Sequence, residues 1–223
     1  MKKFYVFALA LLTLGIAAQS CHKDDPDYSK IQPTALVTVR PAADQSFVMQ
    51  LDNETVLYPS NMTLSPFKDK EVRALVNFSD QKEIDGKLNV HVNWLDSIRT
   101  KKPVPSLEDN SVYGSDPIEI VRDWVTVAED GYLTLRVRTV FGDPSVKHEL
   151  NLVTGTNPED PYELELRHNA NKDIYGHYGD ALIAFNLNDL PVEDSQTVKI
   201  KVKWRSFSGY KSTDFDLYIR PKE

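Results

Sequence analysis

Two features of this 223-residue chain carry residues whose types and spacing could do chemistry. One is Cys21, the single cysteine, which stands directly behind an apolar run with Ala17, Ala18 and Ser20 ahead of it and is the one thiol available for covalent attachment of a group. The other is the stretch from Arg167 to Asp180, which holds His168, Asp173, Tyr175, His177, Tyr178 and Asp180. Imidazoles, phenols and carboxylates gathered on a connection between strands are suited to touch a ligand or a partner. A metal site would recruit His168 and His177 with Asp173 or Asp180, but that spacing matches no compact zinc signature. The expectation is therefore no metal and no cofactor, with His168, Tyr175, His177, Tyr178 and Asp180 as candidate contacts. A plain ordered connection joining two strands is the competing reading.

Nothing in the sequence points to catalysis. There is no Gly-x-Ser-x-Gly elbow, no His-Glu-x-x-His pair and no Walker-type loop. Adjacent acids such as Glu159 and Asp160 are ordinary in a loop, whereas a catalytic pair needs a fixed separation across a cleft. A non-enzymatic role is expected.

The elements that must position these residues begin after a leader. Met1, Lys2 and Lys3 precede an uncharged stretch from Phe4 to Ser20, the pattern of a secretory signal. That stretch is too short for a membrane span, which needs about 20 apolar residues. Residues 1–20 are assigned to the leader and residues 21–33 to a flexible tether, since His22-Lys23-Asp24-Asp25-Pro26-Asp27 is charged and resists packing. Removing the leader takes Lys2 and Lys3 from the 26 basic residues and none of the 33 acidic ones, leaving 24 against 33, a formal charge of −9. Phosphate backbones are bound by concentrated Lys and Arg, so a nucleic-acid partner is not expected.

Beyond residue 33 nearly every apolar segment alternates with the period of a half-buried strand. Strands are expected at 34–40, 46–51, 71–79, 86–96, 118–128, 131–140, 147–154, 161–168, 181–187, 196–205 and 212–219, separated by Asp85-Gly86, Asp130-Gly131 and Gly142-Asp143-Pro144. Pro103, Pro105 and Pro117 break the alternation and place a boundary between an N-terminal unit, 34–103, and a C-terminal unit, 104–223. The first has the size of a five-stranded OB-like barrel and the second the strand count of a β-sandwich. Trp94, Trp124 and Trp204 are expected in the cores, as Trp is highly buried on average. Lys199, Lys201, Lys203 and Arg205 form a basic stripe that Glu163 and Glu165 can pair across neighbouring strands. On an OB-like barrel, Tyr58, Phe67, Arg73 and Phe78 are the residues to test for a ligand groove, with core positions as the alternative for the two phenylalanines.

Several of these stretches resemble known patterns. Ala17-Ala18-Gln19-Ser20-Cys21 resembles a bacterial lipobox, which implies cleavage before Cys21 and palmitate-type acylation of it. About 0.8 kcal/mol per buried methylene then makes the anchor firm. Lys23-Asp24-Asp25 looks like the signal that sends lipoproteins of some Gram-negative anaerobes to the outer face of the outer membrane, and Asp96-Ser97-Ile98 resembles an O-glycosylation site of the same lineage. Thr34 to Pro41, Phe47 to Leu51 and Pro66 to Phe78, then Asp116 to Trp124, Asp130 to Leu135, Lys147 to Val153, Arg167-His168-Asn169 and Trp204 to Gly209, resemble the NigD-like lipoproteins. That resemblance implies an OB-like barrel followed by a β-sandwich and a bacteriocin immunity role attached to no defined residue set. The expected function is a lipid-anchored envelope protein that binds a protein partner as an immunity or accessory factor, with a carbohydrate-binding accessory lipoprotein as the alternative.

Overall fold

β-branched and aromatic side chains in short alternating runs fit a pleated, half-buried surface, and the computed structural model is built of strands accordingly. It describes residues 32–192 and 197–220; the leader, Cys21 and the tether up to Ile31 lie outside the described residues. The first five strands, β1 (Thr34–Pro41), β2 (Phe47–Gln50), β3 (Val56–Pro59), β4 (Val72–Ile84) and β5 (Lys87–Ser97), close into a barrel in the order β1-β2-β3-β5-β4. β3 runs parallel to β5 and the other pairings are antiparallel. Asp85 and Gly86, both at positive φ, make the β4–β5 turn, the arrangement that matches the twist of the flanking strands. Val37, Val39, Met49, Leu57, Val76, Phe78 and Val90 fill the barrel.

Trp94 does not join that core. Opposite β4 the register steps from Asn77↔Trp94 to Phe78↔Val92, so one extra residue sits at Asn93. A bulge of this kind turns the following side chains to the other face. Val90 and Val92 point inward before it and Leu95 packs on the core after it, while Trp94 is left exposed.

The remaining strands form two sheets. One has the order β6 (Arg99–Lys101), β13 (His177–Asn186), β10 (Tyr132–Phe141), β8 (Glu119–Val121), with β9 (Val127–Glu129) also on β10. The other runs β15 (Gly209–Tyr218), β14 (Thr197–Ser206), β12 (Glu163–Asn169), β11 (Glu149–Thr154), β7 (Val104–Pro105). Leu133, Leu135, Ile183 and Phe185 of the first sheet meet Leu152, Leu164, Ile200, Val202 and Trp204 of the second in one core. The stripe on the outer face of β14 is charge-paired, with Lys203 on Glu163 at 2.5 Å and Lys199 on Asp216 at 2.7 Å.

Three expectations need correction here. The boundary at 103/104 moves to the Ile98–Arg99 link, because Arg99–Lys101 pairs in parallel with Ile183 to Phe185 and so belongs to the sandwich. The strand expected at 118–128 is broken at its centre. Asp123 Oδ1 accepts from Trp124 N–H and Asp123 O from Thr126 N–H, a turn that leaves Trp124 exposed. Arg73 is not on a ligand groove but is fully buried where the barrel meets the sandwich, donating to Thr38 Oγ1 (2.9 Å), Thr134 Oγ1 (3.4 Å) and Glu129 Oε2 (2.8 Å). Phe78 is in the barrel core, Phe67 packs half-buried against it, and Tyr58 lies under Lys87, whose Nζ is 5.2 Å from the ring centroid.

Barrel and sandwich form one compact unit. Around Arg73 the contact is apolar, from Leu36, Leu75 and Ile98 to Tyr132, Leu182 and Ala184. At its margin Arg220 grips Glu71 with two hydrogen bonds of 3.0 and 2.5 Å, Tyr132 Oη donates to the same carboxylate at 2.5 Å, and Arg40 pairs with Asp130. Burial works to raise the Glu71 carboxyl; the Arg220 guanidinium and the Tyr132 hydroxyl overcome it and hold the group below its ordinary value.

Candidate functional site

Antiparallel pairing of β10 with β13 and of β11 with β12 brings two connections, 142–148 and 170–176, to the same end of the sandwich. β12 runs parallel to β14, so the β14–β15 turn at Phe207 and Ser208 arrives there too. The two longer connections are stitched together by Asp173, whose carboxylate accepts from Gly142 N–H at 2.9 Å and from Asp143 N–H at 3.2 Å. Burial tends to raise that carboxyl, and the backbone donors of Asp143 and Gly142 with the His148 ring bring it down below its ordinary value.

Glycines permit this close approach. A Cβ on Gly142 would lie 2.4 Å from Tyr175 O, one on Gly176 2.3 Å from Phe141 O, and one on Gly179 2.2 Å from Phe141 Cε1. Each contact is closer than real Cβ atoms come, so the chain cannot carry a larger residue at these three positions without moving its neighbour.

Aromatic side chains are thereby held out in solvent. Tyr175 is 80% exposed and Tyr178 64%, with Ile174, Phe141 and Phe207 beside them in the same class. The Tyr178 and Phe207 rings meet edge to face at 5.6 Å, the geometry aromatic quadrupoles prefer. Between the two sheets behind Phe141 opens a cleft of about 400 Å³, walled by Val137, Val146, Leu150, Ala181 and Ile183, with Arg99, Thr139, Asp143, His148 and Asp180 as its polar members.

The five expected contacts are divided by the fold. Tyr175, His177 and Tyr178 are exposed at this end. Strand β13 begins at His177, however, so His177, Tyr178 and Asp180 stand on a strand and the connection is shorter than expected. Asp180 is committed: Arg138 Nε at 2.6 Å and Arg136 Nε at 2.8 Å hold its carboxyl down at about 2. His168 is corrected outright, as it is buried on β12 and not part of a surface.

Its partners explain why it can be buried. His168 Nδ1 is 3.2 Å from Pro117 O, and its Nε2 is 3.0 Å from His148 Nδ1, whose other nitrogen is 3.3 Å from Asp173 Oδ2. Pro117 O only accepts, so His168 carries its proton on Nδ1 and offers Nε2 as acceptor. Burial favours this neutral form and depresses the imidazole below its ordinary value. His148 lies between that acceptor and the Asp173 carboxylate, with one ring nitrogen facing each. The chain ends on the Asp173 carboxylate that ties the two connections together. It is therefore a structural relay supporting the aromatic end. Among the described residues no group of three His, Cys, Asp or Glu side chains is arranged to hold a metal ion.

Comparison with known proteins agrees with this architecture. Residues 36–98 match the NigD-like N-terminal OB domain and residues 100–217 the NigD-like C-terminal beta sandwich domain. The chain belongs to the NigD-like family. A solved structure of a protein described as toxin-related from Parabacteroides distasonis is 30% identical, with 82% of this chain and 92% of that chain covered and a TM-score of 0.69. A protein of unknown function from Bacteroides vulgatus is 24% identical, with 85% and 90% covered and a TM-score of 0.65. A NigD-like immunity protein from Bacteroides caccae is 20% identical, with 82% and 91% covered and a TM-score of 0.58. The last two likenesses speak to the fold. No curated protein matches the chain. The family matches meet between residues 98 and 100, where β6 leaves the barrel.

Proposed function

We propose that this NigD-like protein is an exported, lipid-anchored envelope protein that binds a protein partner through the aromatic end of its sandwich, as an immunity or accessory factor and not as an enzyme. The observation that carries the reading is the group Phe141, Tyr175, Tyr178 and Phe207, held in solvent by a rigid stitched support above an apolar cleft. Aromatic residues exposed on a rigid scaffold are the residues that dominate protein interfaces once desolvated, and an ordered apolar surface is retained where a partner covers it. A sugar platform would favour rings presenting their faces side by side; Tyr178 and Phe207 instead stand edge to face. The NigD-like immunity protein among the structural neighbours agrees with the immunity role. Anchoring rests on Cys21 and the leader before it, and the outer face of the outer membrane on the charges from Lys23 to Asp25.

The test is capture with the immobilised chain from residue 22 onward, using outer-membrane and secreted fractions of its host, followed by mass spectrometry, with glycans screened in parallel. One stoichiometric protein retained by wild type and lost with Tyr175→Ala/Tyr178→Ala supports the reading. Truncating an aromatic anchor costs about 1–2 kcal/mol or more, roughly tenfold in affinity each. Glycan retention without protein refutes it in favour of a carbohydrate-binding accessory. Loss of palmitate labelling on Cys21→Ser tests the anchor.

A further inference from the structure

At the opposite edge of the sandwich from β6 and β7 the two sheets part around β15. The parting leaves a groove of about 760 Å³ between β15 and the β8–β9 connection, lined by Ile120, Arg122, Trp204, Lys211, Asp214 and Phe215 among others. Among the described residues β15, ten residues long, pairs with β14 alone and β9 comes close against it, whereas the other terminal strands β6, β7 and β8 have two or three. Long regular edges of this kind are templates for another chain, and proteins ordinarily shorten or cover them.

Hydrogen-bond parity says which backbone groups are free. The β14–β15 hairpin closes on Ser206↔Gly209 with two residues between, so the pairs that exchange hydrogen bonds are Ser206/Gly209, Trp204/Lys211, Val202/Thr213, Ile200/Phe215 and Val198/Leu217. Lys201 N–H donates to Tyr162 O and Ile118 N–H to Arg205 O on the other side of β14, as this parity requires. On β15 the backbone groups of Tyr210, Ser212, Asp214 and Asp216 therefore face outward. Tyr218 O, next in the series, is taken by Gly131 N–H.

A second observation points into the same groove. Trp204 is 6% exposed, and its buried indole Nε1 makes no aligned hydrogen bond among the described residues. The carboxylate beside it, Glu119, accepts from Ser206 Oγ and from Lys211 Nζ at 3.0 Å. It is thus already engaged, although the indole contributes to holding its pKa down. The indole leans on that carboxylate without an aligned hydrogen bond, and an acceptor entering the groove can give it one.

We propose that β15 and the groove beneath it form a strand-addition site for an extended segment of a protein partner in which apolar residues alternate with polar ones. The segment continues the sheet by pairing with the outward groups of Ser212, Asp214 and Asp216, and its alternate side chains lie on Ile120, Phe215 and Trp204, the mode in which backbone bonds give affinity and pockets give specificity. One of its acceptors meets the indole N–H. A second copy of this chain is a poorer occupant, since two-fold antiparallel pairing of β15 sets Asp214 and Asp216 beside their counterparts, and directly opposed like charges destabilise a pair. The site shares with the aromatic end only the premise that the partner is a protein.

The probe is a displayed library of random peptides, about 12 residues long to span the edge, selected on the chain from residue 22 onward. Enriched peptides should alternate apolar residues and bind Ser212→Pro/Asp214→Pro at least about tenfold more weakly; each proline removes an outward N–H and no bond to β14, the position where edge strands tolerate it. Trp204→Phe, which keeps the ring and removes the N–H, should also weaken binding, and Tyr175→Ala/Tyr178→Ala should leave it unchanged. Amide exchange gives a readout that needs no variant. Ser212, Asp214 and Asp216 exchange fast in the free protein and become protected on peptide binding, while Thr213 and Phe215 are protected throughout. Failure to enrich any peptide, equal binding to the proline variant, or loss of binding on the tyrosine variant overturns the proposal. So does a dimer of the free chain that the prolines dissociate. None of these results touches the capture of a native partner by the aromatic end, which is measured separately.

Discussion

Replacing Arg73 with alanine removes the one guanidinium that lies wholly inside the junction of barrel and sandwich. Three hydrogen bonds go with it: 2.9 Å to Thr38, 3.4 Å to Thr134 and 2.8 Å to Glu129. Neutral acceptors contribute about 1 kcal/mol each and a charged one about 2, which gives roughly 4 kcal/mol. Glu129 keeps 27% of its side chain in water and rehydrates in part, so about 3 kcal/mol is the expected net loss, at the lower end for breaking a buried pair. For a body of this size, roughly 2–4 °C per kcal/mol converts that to a fall in Tm of about 6–12 °C. Circular dichroism melts and urea titration measure both quantities. Arg73→Met/Glu129→Gln should recover part of the loss, because no charge is then left without its partner. A fall of less than about 3 °C for Arg73→Ala would refute the argument that the guanidinium holds the two halves together.

Other consequences follow from particular residues. Trp94→Ser should change stability by no more than about 0.5 kcal/mol, as exposed positions do, while Trp204→Ala should cost about 3–5 kcal/mol; equal costs in urea unfolding would contradict the bulge at Asn93. Glu71 is held below its ordinary value in the fold, so its contribution is complete above the unfolded value of about 4.3 and is lost as pH falls through the lowered folded value. Glu71→Gln should then flatten the acid limb of the stability curve below about pH 4.3, and an unchanged acid slope would refute this. Gly131→Ala should cost more than Gly86→Ala in thermal melts. Both glycines have positive φ, but a Cβ at 131 would lie 1.9 Å from the Asn188 side chain, whereas the space around Gly86 is open. Gly86→Ala should therefore cost only the backbone term, about 1 kcal/mol.

Much of the architecture was legible because burial on one face writes a period of two into a strand. Val198, Ile200, Val202 and Trp204 are inward on β14 as their alternation requires, and the two-part organisation is visible in the proline-rich break. β6 and β7, at three and two residues, are too short for alternation to register, so the proline-rich break places the boundary several residues late. The bulge that exposes Trp94 leaves no local mark, because it depends on where β4 pairs. His177 to Asp180 read as loop since that part of β13 extends past the core, where no apolar residue is required. The exposed tyrosines of the site were legible from composition. His168 was misplaced because the groups that satisfy it, His148 and Pro117, are 20 and 51 residues away. Phe141 and Phe207 carry no mark of their own in the sequence; the available signal is Gly142, Gly176 and Gly179, whose spacing marks close backbone approach.

The span of the Glu71–Arg220 contact, 149 residues, sets the order in which the molecule can be finished. A chain emerging from its amino end can close the barrel once Ser97 is available, since among the described residues no barrel strand pairs with a later one. At that stage Arg73 faces water, because Glu129 and Thr134 have not yet arrived. β6 waits for β13, and Arg220, which follows β15, sets a late latch. Such long-range closures make folding slow, and this one leaves a finished barrel carrying an unfinished sandwich for as long as the carboxyl end is delayed. Refolding followed by Trp94 and Trp204 separately should resolve two steps, with the second slowed when the chain is cut before Arg220.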